Sequence, residues 1–204
     1  MQEHYESANP RFRREPFSLE EYMDWYAKNQ PDRQSRPEPE RGHFTYTQDW
    51  SGFNVPSDIV AKFFFYFSDK SVKEWALIKG IMNAVDEYNV GVGIKKGSVF
   101  HRPFYVIGTY DNDPDNDDGS TVAHEIRHGV YFCDEEYRKE MKAAVMKHAP
   151  ESFFKSLSKA GYGKNTIIDE AHAYALTGYR TEEKVTAKLK KLTKELKKIE
   201  KKYI

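Results

Sequence analysis

The stretch STVAHEIRHGVYF, residues 120 to 132, constrains the fold more than any other part of the chain. His124 and His128 are four residues apart, so on a helix both imidazoles project from one face, one turn apart. Two imidazole nitrogens placed in this way can reach one zinc ion at about 2.0 to 2.1 Å. The spacing therefore predicts a metal-binding helix.

The residues around the two histidines favour that helix. Ala123, Ile126 and Val130 give an apolar pattern of helical period, and Ser120 or Thr121 can cap the first turn. We therefore expect an amphipathic helix that begins near residue 120.

Glu125 lies beside the first histidine and can reach a water in the open coordination position of such a metal. Zinc lowers the pKa of its bound water toward about 7, and a carboxylate can take the proton of that water as it attacks a carbonyl. The carboxylate can later deliver the proton to the leaving amine. These residue types in this order point to hydrolysis with Zn2+ as cofactor.

A catalytic zinc of this kind needs a third protein ligand. Asp134 follows His124 by the interval at which the metzincin pattern HExxHxxGxxH/D has its third ligand, but Tyr131 occupies the position of the turn glycine. Without that glycine the helix has no reason to bend back toward the metal, so Asp134 is rejected. Glu170, in DEAHAYAL on a later predicted helix, is the better candidate.

The two anchors HEIRHG and DEAHAY resemble those of the gluzincin metallopeptidases, over roughly residues 104 to 178. The resemblance implies that His124, His128 and Glu170 are zinc ligands and that Glu125 is the general base and acid. It also implies an α+β, zincin-like fold: a small mixed or antiparallel sheet, the zinc-binding active-site helix and a later helix with the third ligand. The substrate would be a peptide or protein.

Two features depart from the thermolysin-like members of that family. The ligand spacing is longer, which implies an inserted helical hairpin, and Tyr174 stands where those members have an aspartate that supports the metal site. Tyr174 shares the face of Glu170, where it can either donate a hydrogen bond to an oxyanion or belong to the core.

Three neighbours of these residues receive more modest roles. Asp169 lies about 100° around the helix from Glu170, which favours a cap or a partner of a ligand over a ligand itself. His172 points to nearly the opposite face and is expected to be structural. Cys133 is expected to be a small buried residue, and as the single cysteine it excludes an internal disulfide.

The chain divides by composition into three parts. Residues 1–50 form a polar arm with one short helix, in which Ser18 and Glu21 make a capping box ahead of an aromatic face. Residues 51–180 form the zincin-like catalytic domain. Residues 181–204 form a lysine-rich amphipathic helix.

Within the central part, two helices are expected from residues 57 to 67 and 71 to 89, followed by a strand over Phe104–Tyr110. The second helix carries an apolar stripe, including Trp75 and Ile78, that is expected to belong to the core. By the resemblance, that strand would bind extended substrate through main-chain hydrogen bonds. The acidic loop 111–118 fails the EF-hand pattern for calcium, since Asp118 stands at the glycine position, and is expected to be a solvated turn. Three further helices are expected between residues 134 and 179.

Charge and hydropathy limit the function. Thirty-two basic residues balance thirty-two acidic ones, which argues against a nucleic-acid partner. No apolar run reaches the roughly 18 to 20 residues of a membrane helix, and the first residues lack the apolar centre of a signal peptide. We therefore expect a cytoplasmic protein with no membrane partner.

The C-terminal part carries a heptad seam formed by Val185, Leu189, Leu192, Leu196, Ile199 and Tyr203. The seam is open to three interpretations: self-association, a latency segment over the catalytic cleft, or packing on the core. Two alternatives to a peptidase also remain open. One is a catalytically silent zincin-fold protein that acts as a structural or interaction module through this helix, and the other is zinc-dependent hydrolysis of a non-peptide amide.

Overall fold

The structure is a computed structural model that describes residues 11–12, 15, 17–29, 42–45, 52–66, 72–93, 95, 102–109, 120–160, 162–178 and 186–204. Most of the connector, the acidic loop 111–118 with its rejected calcium site, and Val185 lie outside the described residues. The described elements are mainly helices, with one two-stranded antiparallel sheet, so the α+β class is confirmed at this level.

In chain order the elements are α1 (Leu19–Asn29), β1 (Gly52–Pro56), α2 (Ser57–Tyr66), α3 (Val72–Gly91), β2 (Tyr105–Thr109), α4 (Ser120–Cys133), α5 (Glu135–His148), α6 (Glu151–Lys159), α7 (Ile167–Thr177) and α8 (Ala187–Glu200). No described helix combines the length and the apolar character needed to cross a membrane. The chain divides into two compact units, Met1–Pro16 with Asn54–Val106, and Phe17–Phe53 with Ile107–Ile204.

The first unit has a small core. Val55, Ile59 and Val60 are buried, and Ile81 and Phe104 pack against them. The expected strand after residue 103 is confirmed as β2, whereas β1 was not predicted. β1 is short and ends at Pro56, so its sequence has little room for the alternation that marks a strand.

Helix α3 spans the predicted segment but is less buried than its apolar pattern predicted. Ile78 is buried, whereas Trp75, expected on the same buried stripe, is 47% exposed. Trp75 instead makes an edge-on ring contact with Phe64 of α2. An apolar stripe at helical spacing predicts a helix, but the number of neighbouring elements decides how much of the stripe they cover.

The second unit has the larger core. Its fully or nearly fully buried apolar residues come from four helices: Tyr137, Met141 and Val145 of α5, Phe153 and Leu157 of α6, Ala171, Ala175 and Leu176 of α7, and Leu189, Leu192 and Leu196 of α8. The leucine face of the predicted C-terminal heptad helix therefore packs inside its own chain. Helices α4 and α7 pack against each other in the same unit.

Helix α1 also belongs to this unit. The predicted capping box is confirmed, because the Glu21 amide donates to Ser18 Oγ at 3.1 Å and the Ser18 amide donates to Glu21 Oε2 at 3.1 Å. Tyr22 and Tyr26 are buried, and each makes a T-shaped ring contact with Phe44. The expected aromatic face is thus the packed face of the helix.

Candidate metal centre

Helix α4 places His124 and His128 on one face, as their spacing predicts. The two Nε2 atoms are 3.1 Å apart, and the ring centroids are 4.7 Å apart at a steep angle of 76°. His128 is buried, with 3% of its side chain exposed, while 15% of the His124 side chain is exposed. Both rings therefore turn the same nitrogen toward one point.

Helix α7 brings Glu170 to that point. Its Oε2 atom is 3.6 Å from His124 Nε2, and its Oε1 atom is 3.7 Å from His128 Nε2. Oε2 is buried and has no hydrogen-bond partner among the described residues. A buried carboxylate oxygen without a partner is costly, so its position beside two imidazole nitrogens calls for an explanation.

The three side chains fit a tetrahedral zinc ion. Two ligand atoms that each lie about 2.0 to 2.1 Å from such an ion are about 3.3 to 3.4 Å from each other. The observed separations of 3.1, 3.6 and 3.7 Å bracket this value. His124, His128 and Glu170 form a group whose ligand atoms all lie within 4.8 Å of one another and that could hold a metal ion.

Asp169 is not one of these three residues, but it contacts the other ring nitrogen of His128, Nδ1. Asp169 Oδ1 is 2.9 Å from His128 Nδ1, an ion-pair distance, although the approach departs from the geometry of an N–H hydrogen bond. Burial alone would lower the pKa of His128, but Asp169, together with Glu170 and Glu125, raises it to about 10. Asp169 thus lies where a partner of a metal-binding histidine is expected.

His172 is completely buried behind Asp169. Its Nδ1 is 2.5 Å from the Asp169 carbonyl oxygen, and its ring stacks on Tyr131 with centroids 4.8 Å apart. Tyr137 meets the same ring edge-on. His172 also makes an edge-to-face contact with the His128 ring at 6.2 Å, and its Nδ1 lies 3.2 Å from Asp169 Oδ1. It therefore packs behind the candidate ligands, in line with the structural role expected for it.

Thr177, at the end of α7, was not predicted to belong to the site. Its Oγ1 is 3.1 Å from His124 Nδ1 and also donates to the Ala173 carbonyl at 2.9 Å. The sequence held a signal for this contact, because residues 170 and 177 are seven apart, about two helical turns, and so share a face. Nothing in the sequence alone fixed how closely α7 approaches His124.

Tyr174 lies between Glu170 and Thr177 on that face. Its ring packs against the His124 ring with centroids 4.5 Å apart, and its hydroxyl is 2.9 Å from the Tyr162 hydroxyl. Tyr174 also borders the main core. Its contacts with His124 and with the core are therefore both present, and the expected oxyanion role stays a prediction.

Glu125, the candidate general base, is half-buried on α4. Its negative charge is the smallest of the causes that raise the pKa of His128. Arg127, inside the same motif, faces elsewhere: its Nη2 is 2.8 Å from Glu200 Oε1 of α8, and its Nη1 donates to the Ala123 carbonyl. The motif helix is thus linked to the C-terminal helix.

The two residues that follow α4 have other positions. Asp134, rejected as a ligand, is the N-cap of α5 and accepts a hydrogen bond from the Tyr137 amide at 2.9 Å. Cys133 is exposed, so the prediction that it is buried was wrong. It is the last residue of α4, where no further turn of the helix follows to cover it.

Comparison of the chain with protein-family models, curated proteins and solved structures gave no match. The interpretation of the site therefore depends on its own geometry.

Proposed function

We propose that this chain is a zinc-dependent metallopeptidase, with a zincin-like fold that resembles the gluzincins. The observation that carries the proposal is the convergence of three donor atoms from His124, His128 and Glu170, with Glu125 next to His124 on the motif helix. Two imidazoles and one carboxylate are a usual ligand set of catalytic zinc, which keeps its fourth position open.

In the proposed reaction a water adds to the carbonyl carbon of a peptide bond. The chemistry that zinc supplies when bound is Lewis acidity, which polarises a carbonyl and brings the pKa of a water toward about 7. Glu125 accepts the proton of the attacking water and returns it to the amide nitrogen as the C–N bond breaks. The products are a carboxylic acid and an amine, and transfer of the acid's proton to the amine leaves them as carboxylate and ammonium.

The residues around the ligands support a site built to hold a metal. Asp169 lies against the outer nitrogen of His128 at 2.9 Å, and Thr177 lies against that of His124 at 3.1 Å. Each histidine can therefore hold a proton on Nδ1 while its Nε2 binds metal. A peptide or protein is the proposed substrate class, and β2 is the proposed strand for extended substrate.

The alternative function, an interaction module that binds a partner through the apolar seam of α8, has less support than the peptidase. Leu189, Leu192 and Leu196 are completely buried in the core, so this part of the seam does not face outward. Binding to another chain would have to use the lysine face of α8. Hydrolysis of a non-peptide amide would use the same four residues as the peptidase reaction and is distinguished only by the substrate.

The test compares zinc content and hydrolysis in matched variants. We expect about one zinc per chain in the parent, much less in Glu170→Gln, and unchanged zinc without hydrolysis in Glu125→Gln. Glu136→Gln is the control, because its side chain is 71% exposed on α5 and pairs only locally with Lys139 among the contacts described. Elemental analysis gives the zinc, and a mixed fluorogenic peptide library gives the hydrolysis.

Each outcome separates the alternatives. A parent that holds no zinc after metal is supplied contradicts the proposal as a whole. A parent that holds zinc but cleaves neither the peptide library nor a set of N-acyl amides favours the interaction module. Cleavage of the N-acyl amides alone favours the non-peptide hydrolase.

A further inference from the structure

The hydroxyl of Thr177 has two close polar neighbours. Oγ1 is 2.9 Å from the Ala173 carbonyl oxygen, one turn earlier on α7, and 3.1 Å from Nδ1 of His124 on α4. Threonine on a helix commonly bonds to the carbonyl four residues before it. The contact with His124 crosses between two helices and therefore depends on how they pack.

The positions of the hydrogens follow from these two contacts. A hydroxyl has one hydrogen to donate and lone pairs to accept. The carbonyl of Ala173 can only accept, so the Thr177 hydrogen points to it. Oγ1 must then accept at the contact with His124, which requires a hydrogen on Nδ1.

A neutral imidazole with its hydrogen on Nδ1 has its lone pair on Nε2. In His124 that nitrogen lies 3.1 Å from His128 Nε2 and 3.6 Å from Glu170 Oε2. The contact with Thr177 thus selects the tautomer in which His124 can bind a metal. It also limits rotation of the ring, whose other side packs on Tyr174.

We propose that Thr177 is a positioning residue that fixes the ring orientation and the Nδ1–H tautomer of His124. The proposal deepens the proposed metal centre and depends on it for its purpose, although the tautomer itself can be measured without metal. Helix α7 would then supply one ligand, Glu170, and the outer partners of both histidines, Asp169 and Thr177. Gly178, with φ +126°, follows Thr177 and ends the helix there.

The two outer partners differ in charge. Asp169 offers a carboxylate to His128, and Thr177 offers a neutral oxygen to His124. A neutral acceptor orients the His124 imidazole without adding another negative charge to the largely buried carboxylates of Asp169 and Glu170. Loss of such a partner typically weakens metal binding by about 10- to 100-fold.

The test replaces the hydroxyl while keeping the shape of the side chain. Thr177→Val removes the hydroxyl and keeps the branched carbon, and Thr177→Ser keeps the hydroxyl. Thr193→Val is the matched control, because Thr193 makes the same bond to a carbonyl one turn earlier, donating to Leu189 at 3.1 Å on α8. Zinc affinity is measured by competition with a chelator, and the tautomer of His124 by ring nitrogen chemical shifts in NMR.

We expect zinc binding to be about 10- to 100-fold weaker in Thr177→Val, and close to the parent value in Thr177→Ser and Thr193→Val. The metal-free parent should show His124 with its hydrogen on Nδ1, and Thr177→Val should lose this preference. A parent with the hydrogen on Nε2 overturns the proposal even if the valine variant fails to fold. Parental affinity in Thr177→Val also overturns it, and equal losses in the serine and valine variants assign the effect to packing.

These outcomes are distinct from a failure of the proposed function. If the parent binds no zinc, the metallopeptidase proposal falls, while the NMR measurement still reports whether Thr177 sets the tautomer. If zinc binds and Thr177→Val changes neither affinity nor tautomer, the metal centre stands and the role of Thr177 is rejected.

Discussion

Two pairs of helices in the same unit meet through opposite chemistry. Helices α4 and α7 face each other with His124, His128, Asp169 and Glu170, whereas α5 and α8 meet through completely buried apolar residues such as Met141 and Leu192. The polar part of the first contact gains little from burial, since it places titratable groups out of water. The second contact stabilises the fold by removing apolar surface from water, and this stabilisation offsets the cost of burying the titratable groups.

One ion pair links the two regions. Arg127 lies within the HEIRH motif on α4, and Glu200 lies at the end of α8, with Nη2 and Oε1 2.8 Å apart and both side chains less than one fifth exposed. Lys202 and Tyr203, just beyond α8, also contact Glu140 of α5. The C-terminal segment thus contacts both the apolar core and the motif helix. Its removal should therefore destabilise the apolar contact and the polar contact together.

The largest effect is expected from removal of residues 186–204. This change exposes the surface that Leu189, Leu192 and Leu196 cover, and truncation of one buried leucine alone costs about 2–5 kcal/mol. The sum reaches the whole stability of a typical domain, about 5–15 kcal/mol. We expect the shortened chain to lose its cooperative thermal transition in circular dichroism and its zinc.

The control for this truncation is removal of Ile204 alone, which is 64% exposed. A chain without residues 186–204 that still melts cooperatively and holds zinc would show that α8 is peripheral to the core. Only in that case could deletion of the tail test latency. If the core depends on α8, a latency role has to be tested through substitutions on its exposed lysine face.

A smaller effect is expected from Met141→Ala, which leaves a cavity in the apolar contact. Met141 is completely buried, whereas Met146, on the same helix, is 60% exposed. We expect Met141→Ala to lower the free energy of unfolding by about 2–5 kcal/mol and Met146→Ala to change it by less than about 0.5 kcal/mol. Urea unfolding of the metal-free proteins measures both, and equal losses would contradict the assignment of the core.

The sequence predicted those features that depend on neighbours along the chain. The capping box of α1, the helices α5, α6 and α7, and the shared face of His124 and His128 all follow from spacing within one or two turns. Local hydrogen bonds and helical periodicity determine these features, so they do not depend on which other elements the helix packs against. The pairing of Glu170 with the motif also came from a pattern, though one supplied by a family resemblance.

The sequence did not predict features that depend on which elements meet. Cys133 and Trp75 are exposed, and Thr177 lies against His124, because the packing of helices decides these positions and periodicity does not. The seam of α8 shows the same limit. Its leucines predicted a buried face, but only the structure shows that α5 and α7 of the same chain bury it.

The contact between α4 and α7 should respond to pH, whereas the apolar contact should not. In the metal-free protein the pKa of His128 is raised from 6.5 to about 10, and that of Asp169 is lowered from 3.8 to about 2, despite burial that opposes both charges. The raised pKa stabilises the fold fully below pH 6.5 and is lost as the pH rises toward 10. The lowered pKa stabilises it above pH 3.8 and is lost as the pH falls toward 2.

Zinc affinity should increase with pH on the alkaline side, which is opposite to the change in stability of the metal-free chain. It needs Nε2 of His128 without a proton, so it competes with the second proton of the imidazolium, which Asp169 stabilises, and its affinity should rise about tenfold per pH unit between about 6.5 and 9. Over the same range the stability of the metal-free chain should fall, while the loss caused by Met141→Ala should stay constant. Chelator competition and urea unfolding with EDTA measure the two slopes. Zinc affinity that levels off above pH 7 would show that Asp169 does not raise the pKa of His128, and Asp169→Asn should produce that behaviour.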